Sequence, residues 1–594
     1  MKNILLLLVW TAAFLVHEAR AETPASGSTW ERLLRSDTRI AATSLQVGKR
    51  IEARATGGTV ARYSFSVPAG QFAAIHLRQF DVDMIAALFD PEGRLLRVAD
   101  FNESGATEHL TLWSGRGGTY TVQVRSTNPG ADGAYAIWMS PPEAAGRSAQ
   151  ARAAQLMRGW YGPTRPGAAV AVMRGDQVVY RGARGLASVE FNVPITTATA
   201  FDLASVSKQF TAYAIAMLAE AGRLSLDDDI RTHLEGIPDF GRKITIRHLV
   251  DHTSGLRDWD TSFGLMGYRL EDGLTTERVM NLVSHQNDLS FEPGTRFYYS
   301  NTGYVLLAKI VERITGKPFA GWMRDNLFLP SGMNSTFFNE DFHAVIKGKA
   351  LSYRGSGDAL KLYAGNSTAV VGSSSLHSSV EDLVKWVGNL RNGHVGGARV
   401  LSMIGRKAML ADGHSVDYAF GAEPTTYKNL RVIQYQGLAA GYRITIKRFV
   451  DQDVSVIYLA NDGDDAAYDH AFELGELFLK DVITPPIEIP ADTPPDAAPA
   501  VAATVAPSLA DYEGVYYAGP LNTAIEIRVR NAKLELRLAR TQTISLLHQS
   551  KDQFVAGEWF LRRLEFVRGA RGDVEAVRLF EDDQQASHFV RIRN

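Results

Sequence analysis

Ser205 and Lys208 are the residues whose types and spacing point most directly to chemistry. They lie three residues apart, at the start of an apolar stretch with helical periodicity, so they share one face of the first turn of a buried helix. A serine hydroxyl becomes a nucleophile when a neighbouring base takes its proton, and a lysine can do this when burial or a nearby charge lowers its pKa. The alternative is structural: Ser205 would cap the helix and Lys208 would be a solvated first-turn lysine.

A tyrosine and an asparagine form a second candidate element, the sequence Tyr299-Ser300-Asn301. It follows a Pro-Gly turn and leads into an amphipathic helix predicted over residues 305–314. A tyrosine beside a lysine ammonium has its pKa lowered and can exchange protons with the serine or the leaving group. Asn301 can orient the lysine and hold the substrate carbonyl. The alternative is a buried tyrosine and a turn asparagine.

Two histidines four residues apart, His248 and His252, could in principle hold zinc from one helical face. Zinc hydrolases with this spacing need a glutamate directly after the first histidine, and Leu249 stands there. We therefore predict that both histidines cap or pack, and that the protein uses no metal and no cofactor.

Four motifs occur in order along the centre of the chain: SVSK, RHLVDHTSGL, EPGTRFYYSNTGY and VVGSSSLHSSVEDLVKW. Together they resemble the serine β-lactamase and penicillin-binding-protein superfamily, in the branch of class C β-lactamase-like esterases and D-amino-acid peptidases. The resemblance implies a catalytic α/β domain, residues 152–482, with an antiparallel sheet flanked by helices. It also implies that Ser205 is the acylated nucleophile, Lys208 its activating partner and Tyr299 the general base and acid. Whether Lys208 or Tyr299 takes the first proton stays open.

The third element of the superfamily, K-T-G or H-x-G on an edge strand, departs from the pattern here. The matching stretch begins Tyr435-Gln436-Gly437-Leu438, so a neutral phenol stands where a cation helps to bind a substrate carboxylate. Arg443 would compensate if it faced the cleft. Gly437 allows close backbone approach, and the amides of Leu438 and Ser205 can form an oxyanion hole. The departure favours an esterase or peptidase over a β-lactamase.

β-rich segments are predicted on both sides of the catalytic domain. Residues 40–142 alternate apolar and polar side chains between turn signals, which predicts a β-sandwich similar to the jelly-roll domain of secreted bacterial peptidases. This domain either binds carbohydrate or another surface, or only holds the enzyme at a distance from a surface. Residues 144–153, small and polar, are predicted to form a hinge to the catalytic domain.

A Pro- and Ala-rich linker, residues 487–507, precedes alternating strands in residues 508–594, which predict a lipocalin-like β-barrel. Such appendages occur in the superfamily. The barrel either covers the active site and limits substrate size or packs beside it.

The composition of the 594 residues is that of a globular protein, with a net charge of −2 and no cysteine. This charge gives no reason to expect a nucleic acid or an anionic membrane as partner. Lys2, an apolar run and Ala19-Arg20-Ala21 predict a cleaved signal peptide over residues 1–21. We therefore expect a periplasmic or secreted protein without stable membrane insertion after cleavage.

Two functions of different class follow. The first is an exported serine hydrolase that forms an acyl-enzyme on an ester or a D-amino-acid-containing peptide or amide, from a small-molecule, peptide or cell-wall-derived substrate. Within the hydrolases, β-lactamase and D-Ala carboxypeptidase are the alternatives. The second is a catalytically silent binding or sensor protein of the penicillin-binding fold.

Overall fold

The computed structural model of the chain describes residues 37–102, 104–128, 130–269, 272–355, 360–363, 368–480, 482–483, 508–540, 542–558, 560–580 and 586–592. The predicted signal peptide and the predicted linker, residues 487–507, lie outside these ranges. Within the ranges, no helix has both the length and the apolar character needed to cross a membrane.

Residues 42–144 form two sheets that share one hydrophobic core. In the described residues one sheet has the order β1-β3-β8-β5-β6, and the other has the order β10-β4-β9-β2, with β7 also paired to β4. Alternate side chains are buried in strands such as β3, as the period-two pattern predicts, whereas β4 and β5 are buried along almost their whole length. The sheet-rich N-terminal region is thus confirmed. Its strands are β1 (Ala42–Ser44), β2 (Ile51–Ala55), β3 (Ala61–Val67), β4 (Gln71–Gln79), β5 (Met84–Phe89), β6 (Leu95–Ala99), β7 (Thr107–Trp113), β8 (Gly118–Ser126), β9 (Gly133–Met139) and β10 (Glu143–Ala144).

The junction after the sandwich is not the hinge that small residues led us to predict. Helix α1 (Ala149–Trp160) begins there, capped by the Ser148 side chain. The side-chain amide of Gln155 donates to the Ala144 carbonyl at 2.8 Å and accepts from the Trp113 indole at 3.0 Å. Apolar side chains of α1 also pack against both β4 and the central sheet. The sandwich is therefore joined to the catalytic region by a packed interface, which composition alone could not indicate.

The centre of the chain is built on an antiparallel sheet flanked by helices, as predicted. Its strands in the described residues have the order β12-β11-β16-β15-β14-β13. One face packs against α1 and the last helix, and the other packs against the helices that carry the candidate site. The strands are β11 (Ala168–Arg174), β12 (Gln177–Arg184), β13 (Glu423–Tyr427), β14 (Leu430–Ala439), β15 (Tyr442–Phe449) and β16 (Val454–Ala460). The further helices are α2 (Ser207–Glu220), α3 (Ile246–Val250), α4 (Trp259–Leu265), α5 (Thr276–Ser284), α6 (Asn301–Thr315), α7 (Phe319–Met323), α8 (Val380–Asn392), α9 (Gly397–Ile404) and α10 (Ala467–Leu479).

Short strands and turns complete the catalytic region. The strands are Leu186–Ser188, Val193–Pro194, Phe201–Asp202, Leu274–Thr275, Phe337–Phe338, Tyr353–Arg354, Lys361–Leu362, Thr368–Ala369, Leu376–Ser378, Ala408–Met409 and Ser415–Val416. The 3₁₀ turns of this region are Ala204–Val206 and Ile230–Thr232, and Arg324–Phe328 is a π turn; a further 3₁₀ turn, Leu509–Tyr512, precedes the C-terminal barrel.

The C-terminal region is a closed barrel in which neighbouring strands pair antiparallel. Its interior is lined by alternate apolar side chains, which confirms the predicted β-barrel. The strands are β17 (Gly514–Ala518), β18 (Thr523–Arg530), β19 (Lys533–Arg537), β20 (Thr543–Ser550), β21 (Gln553–Glu558), β22 (Leu561–Arg568), β23 (Val574–Phe580) and β24 (Ala586–Arg591).

Candidate active site

Ser205 lies in the 3₁₀ turn Ala204–Val206, directly before α2, and not in the α-helix itself. The N-cap of the turn is Leu203 and that of α2 is Val206, so the capping alternative does not describe Ser205. Ala204 has φ of 49°, a left-handed conformation that is costly for a residue with a Cβ. The Asp202 carboxylate accepts from the Ala204 amide at 2.8 Å and supports this turn. The strained turn fixes where the Ser205 hydroxyl points.

The Lys208 side chain is 1% exposed, so it is not the solvated lysine of the structural alternative. Its Nζ donates to Ser205 Oγ at 3.0 Å, to Asn301 Oδ1 at 2.8 Å and to the Ser373 carbonyl oxygen at 2.9 Å. A neutral amine has two N–H bonds and one lone pair. With the two carbonyl oxygens accepting the N–H bonds, the lone pair of a neutral Lys208 faces the Ser205 hydroxyl.

Burial lowers the pKa of Lys208 to about 7, and the negative charges of Asp258, Asp260 and Glu423 oppose the shift. The neutral form is therefore well populated near pH 7. Burial also raises the pKa of Asp260 to about 7 and raises the pKa of Asp258, while hydrogen bonds from Asn301 and Thr302 oppose the shift of Asp258.

Tyr299 is the third member of the cluster, in the loop before α6. Its hydroxyl shares a hydrogen bond with Ser205, and its ring centroid lies 4.8 Å from Lys208 Nζ. The pKa of this phenol is raised well above its ordinary value because burial outweighs the hydrogen bond to Ser205. The expectation that the lysine lowers it is wrong, because desolvation of the buried phenol is the larger effect. Tyr299 is thus a neutral phenol that can give a proton.

Asn301 is the first residue of α6, which starts four residues earlier than predicted. Its Oδ1 accepts from Lys208, while its Nδ2 donates to Asp258 Oδ2 at 3.1 Å. Asp258 also accepts from the Asn301 backbone amide. The contact of Asn301 with a substrate carbonyl stays a prediction.

Sequence reasoning missed Asp258, which is 5% exposed and precedes α4. An acidic residue before a helix usually indicates a cap. The Asp258 side chain makes no capping bond to its own helix and turns to α6 instead. No pattern within the stretch Gly255-Leu256-Arg257-Asp258 predicts the contact with Asn301, because Asn301 lies 43 positions away in the chain.

The two histidines have the capping and packing roles that the sequence favoured. His248 accepts from the Thr245 amide in a capping box at the start of α3. His252, with φ of 55°, accepts from the Ser300 amide at 3.0 Å and contacts the Tyr418 hydroxyl at 2.9 Å. Its ring centroid lies 4.4 Å from that of Tyr299, so it supports the phenol.

Gly437 brings strand β14 against the turn that carries Ser205. A Cβ on Gly437 would lie 2.4 Å from the Leu203 carbonyl oxygen, so only glycine fits there. Leu438 follows it on the exposed edge, 37% exposed and paired with Arg443 on β15. The predicted donors of the oxyanion hole, the amides of Leu438 and Ser205, therefore belong to two segments in direct contact.

Tyr435 lies on the same face of β14 as Gly437, because side chains alternate along a strand. It is 4% exposed in the hydrophobic core and forms a hydrogen bond with Arg448. Its contact with substrate stays a prediction. Arg443 points to the opposite face and pairs with Asp465, so it does not supply the missing cation.

The comparisons with known proteins agree with this architecture. The family model Beta-lactamase matches residues 150–476, more than half of the chain. The chain is similar to penicillin-binding protein 4* of Bacillus subtilis (strain 168), with 28% identity over 70% of this chain and 93% of that protein. It is also similar to the D-aminopeptidase of Gluconobacter oxydans (strain 621H), with 27% identity over 50% of this chain and 56% of that protein, so the match spans about half of that relative.

Among solved structures, the penicillin binding protein from Bacillus halodurans shares 24% identity with the chain at a TM-score of 0.48, covering 55% of this chain and 99% of that one. The family match and the relatives lead to one conclusion. The chain belongs to the Beta-lactamase family and is a serine hydrolase of the serine β-lactamase and penicillin-binding-protein superfamily.

Proposed function

We propose that the protein is an exported hydrolase that forms an acyl-enzyme at Ser205, with Lys208 as the base of acylation. The observation that carries this proposal is the position of Lys208 Nζ, 3.0 Å from Ser205 Oγ and held there by two carbonyl acceptors. A pKa of about 7 gives that amine the lone pair that the step requires.

In the proposed reaction, Ser205 Oγ attacks the carbonyl carbon and its proton passes to Lys208 Nζ. The amides of Leu438 and Ser205 stabilise the oxyanion. As the tetrahedral intermediate collapses, the Tyr299 phenol protonates the departing amine or alkoxide, and the proton held by Lys208 restores the phenol. Water then adds to the ester of Ser205 and releases the acid, which returns the serine hydroxyl.

We further propose that the substrate is a D-amino-acid amide, a peptide with such a residue, or a short ester. Three carboxylates, Asp258, Asp260 and Glu423, lie close enough to Lys208 to raise its pKa. Arg443 is paired with Asp465 and Tyr435 is uncharged. Neither Arg443 nor Tyr435 thus offers a free cation, which disfavours the free carboxylate of a β-lactam or D-Ala carboxypeptidase substrate. The D-aminopeptidase relative supports the same class.

The division into domains is also a proposal: a signal peptide 1–21, a sandwich 40–142, a catalytic domain 152–482, a linker 487–507 and a barrel 508–594. The start of α1 at Ala149, the family match over residues 150–476 and the first barrel strand at Gly514 support it. Export to the periplasm or medium is supported by the N-terminal sequence and the absence of cysteine.

A fluorophosphonate probe tests the nucleophile. We expect wild-type protein to be labelled on Ser205 and Ser205→Ala to be unlabelled. Ser373→Ala is the matched control, because the Ser373 hydroxyl is buried at the same site without a hydrogen-bond partner among the described residues, and it should still be labelled. Labelling of Ser205→Ala would show that another residue is the nucleophile, and no labelling of correctly folded wild-type protein would favour the silent binding protein.

Turnover of three chromogenic substrates tests the substrate class. We expect D-alanine p-nitroanilide and p-nitrophenyl acetate to have higher kcat/KM values than nitrocefin, with L-alanine p-nitroanilide as the stereochemical control. If nitrocefin were the best substrate, the inference from the missing cation would be wrong.

A further inference from the structure

The mouth of the C-terminal barrel is filled by the catalytic domain. Trp259 and Phe263 of α4 belong to the same hydrophobic cluster as the side chains that line the barrel. Gly264 lies against the barrel so closely that a Cβ there would be 2.5 Å from Cγ of Phe560. The described barrel interior is thus packed with protein where a lipocalin would hold a ligand.

Polar contacts extend this interface to the residue before Asp258. The Arg257 guanidinium donates to Ser587 Oγ of β24 at 3.3 Å and forms an ion pair with Asp288 at 3.0 Å. Arg257 is 6% exposed and its contact with Ser587 is buried, whereas its ion-pair partner Asp288 is half exposed. The barrel therefore contacts the chain on both sides of Asp258, at Arg257 and along α4.

Asp258 itself faces away from the barrel, towards the catalytic cluster. Backbone contacts hold its orientation: the Trp259 amide donates to Thr302 Oγ1 at 2.8 Å, and that hydroxyl donates to the Arg257 carbonyl at 2.8 Å. The Asp258 carboxylate accepts from Asn301 Nδ2, which leaves Asn301 Oδ1 turned to Lys208. Both Asp258 oxygens accept from Asn301, Oδ1 from its backbone amide and Oδ2 from its Nδ2, so Asp258 decides which end of the Asn301 amide meets the lysine.

We propose that Asp258 is a positioning residue for Lys208 and that the C-terminal barrel holds Asp258 in place. The barrel therefore contributes to catalysis. This inference rests on the proposed roles of Ser205 and Lys208. The path runs from Phe560 and Ser587 through residues 257–264 to Asp258, then through Asn301 to Lys208. The barrel acts on the rate of acylation through this path, without touching the substrate.

The charged groups around Lys208 make the pH profile of kcat/KM a test of this proposal, because a general loosening of the fold would not shift that profile. Those that act on its pKa are Asp258, Asp260 of α4 and, more weakly, Glu423 of β13, whose side chain lies on the opposite face of the sheet; the neutral imidazole of His252 also lies beside it. Asp258→Asn removes one negative charge. We expect the acid limb of the kcat/KM profile to move to lower pH, and the plateau to fall about 10–100-fold, as is usual when the partner of a functional side chain is removed.

The decisive experiment is a double-mutant cycle in the full-length protein with p-nitrophenyl acetate. Phe560→Ala should lower the plateau of kcat/KM about fivefold or more in the wild-type background and by less than twofold in the D258N background, because the barrel acts through Asp258. Val590→Ala is the control. It changes an exposed side chain on the same barrel strand as Ser587 and should leave the plateau of kcat/KM unchanged in both backgrounds. Thermal unfolding reports whether each variant is folded, and Ser587→Ala replaces Phe560→Ala in the cycle if the latter is not.

Three outcomes overturn the proposal. If D258N keeps the wild-type profile, Asp258 does not position Lys208. If the barrel variants keep the wild-type plateau, the barrel plays no part. If they lower it equally in both backgrounds, they act on the fold in general. Failure of the proposed function looks different, since wild-type protein would then neither turn over the ester nor be labelled on Ser205.

Discussion

A buried lysine that acts as the base predicts a particular pH dependence of acylation. The pKa of Lys208 falls from an ordinary 10.5 to about 7 through burial. This difference of roughly 3.5 units corresponds to about 5 kcal/mol between the two protonation states. At pH 7 about half of the lysine is neutral, whereas without the shift only about one molecule in 3,000 would be.

We expect kcat/KM for p-nitrophenyl acetate to rise about tenfold per pH unit below the pKa of Lys208 and to level off above it. Lys208→Arg keeps the positive charge but supplies no lone pair, because an arginine does not deprotonate in this range. It should lower kcat/KM by about 10²–10⁴-fold, the usual contribution of a general base.

Lys447→Arg is the matched control. Lys447 is also buried, at 1% exposure, and donates to Gln434 on the face of the sheet that is turned away from Ser205. We expect Lys447→Arg to retain the pH profile of kcat/KM of the wild-type enzyme. Thermal unfolding measures any loss of stability that the larger side chain causes. A flat wild-type profile between pH 5 and 9, or more than a tenth of the activity in Lys208→Arg, would refute the assignment of the base.

Three further predictions follow from the site and its supports. Tyr299→Phe should lower kcat about 10²–10⁴-fold on an anilide and much less on p-nitrophenyl acetate, whose leaving group needs no proton; equal losses would contradict the role of the phenol. Gly437→Ala places a methyl group 2.4 Å from the Leu203 carbonyl oxygen, so we expect activity to fall more than tenfold and Tm to drop, and an unchanged enzyme would show that the two segments separate freely. Burial lowers the pKa of His470 from 6.5 to about 3. Between these two pH values the imidazole is protonated in the unfolded chain but not in the folded protein, so the free energy of unfolding decreases as the pH falls, by at most about 5 kcal/mol. This contribution to stability is full above pH 6.5 and is lost as the pH falls towards 3. His470→Phe, which keeps the stacking on Trp160 at 3.8 Å, should therefore lose less Tm than wild type between pH 7 and pH 4; the same loss in both would assign the acid sensitivity to other groups.

Local patterns in the sequence indicated the types of the elements and the candidate nucleophile. Period-two alternation predicted the strands of the sandwich and the barrel, because a strand with one buried face must alternate. Helical periodicity beside Ser205 and Lys208 placed both side chains on one face, since three residues span nearly one turn. The Tyr299-Ser300-Asn301 element stood out in the sequence as well, the superfamily resemblance supplied the expected role of Tyr299, and the fold brings both side chains to the same lysine.

Tertiary structure alone decided how these groups are charged and held. The pKa of Tyr299 rises because burial outweighs its hydrogen bond to Ser205, and desolvation depends on the whole packed surrounding. Arg443 turns away from the cleft because its register on β15 puts it on the opposite face of the sheet. Asp258 meets Asn301 across 43 positions, and the barrel reaches Arg257 across 330. Contacts between residues so far apart arise from the packing of complete elements, and no local period in the chain encodes them.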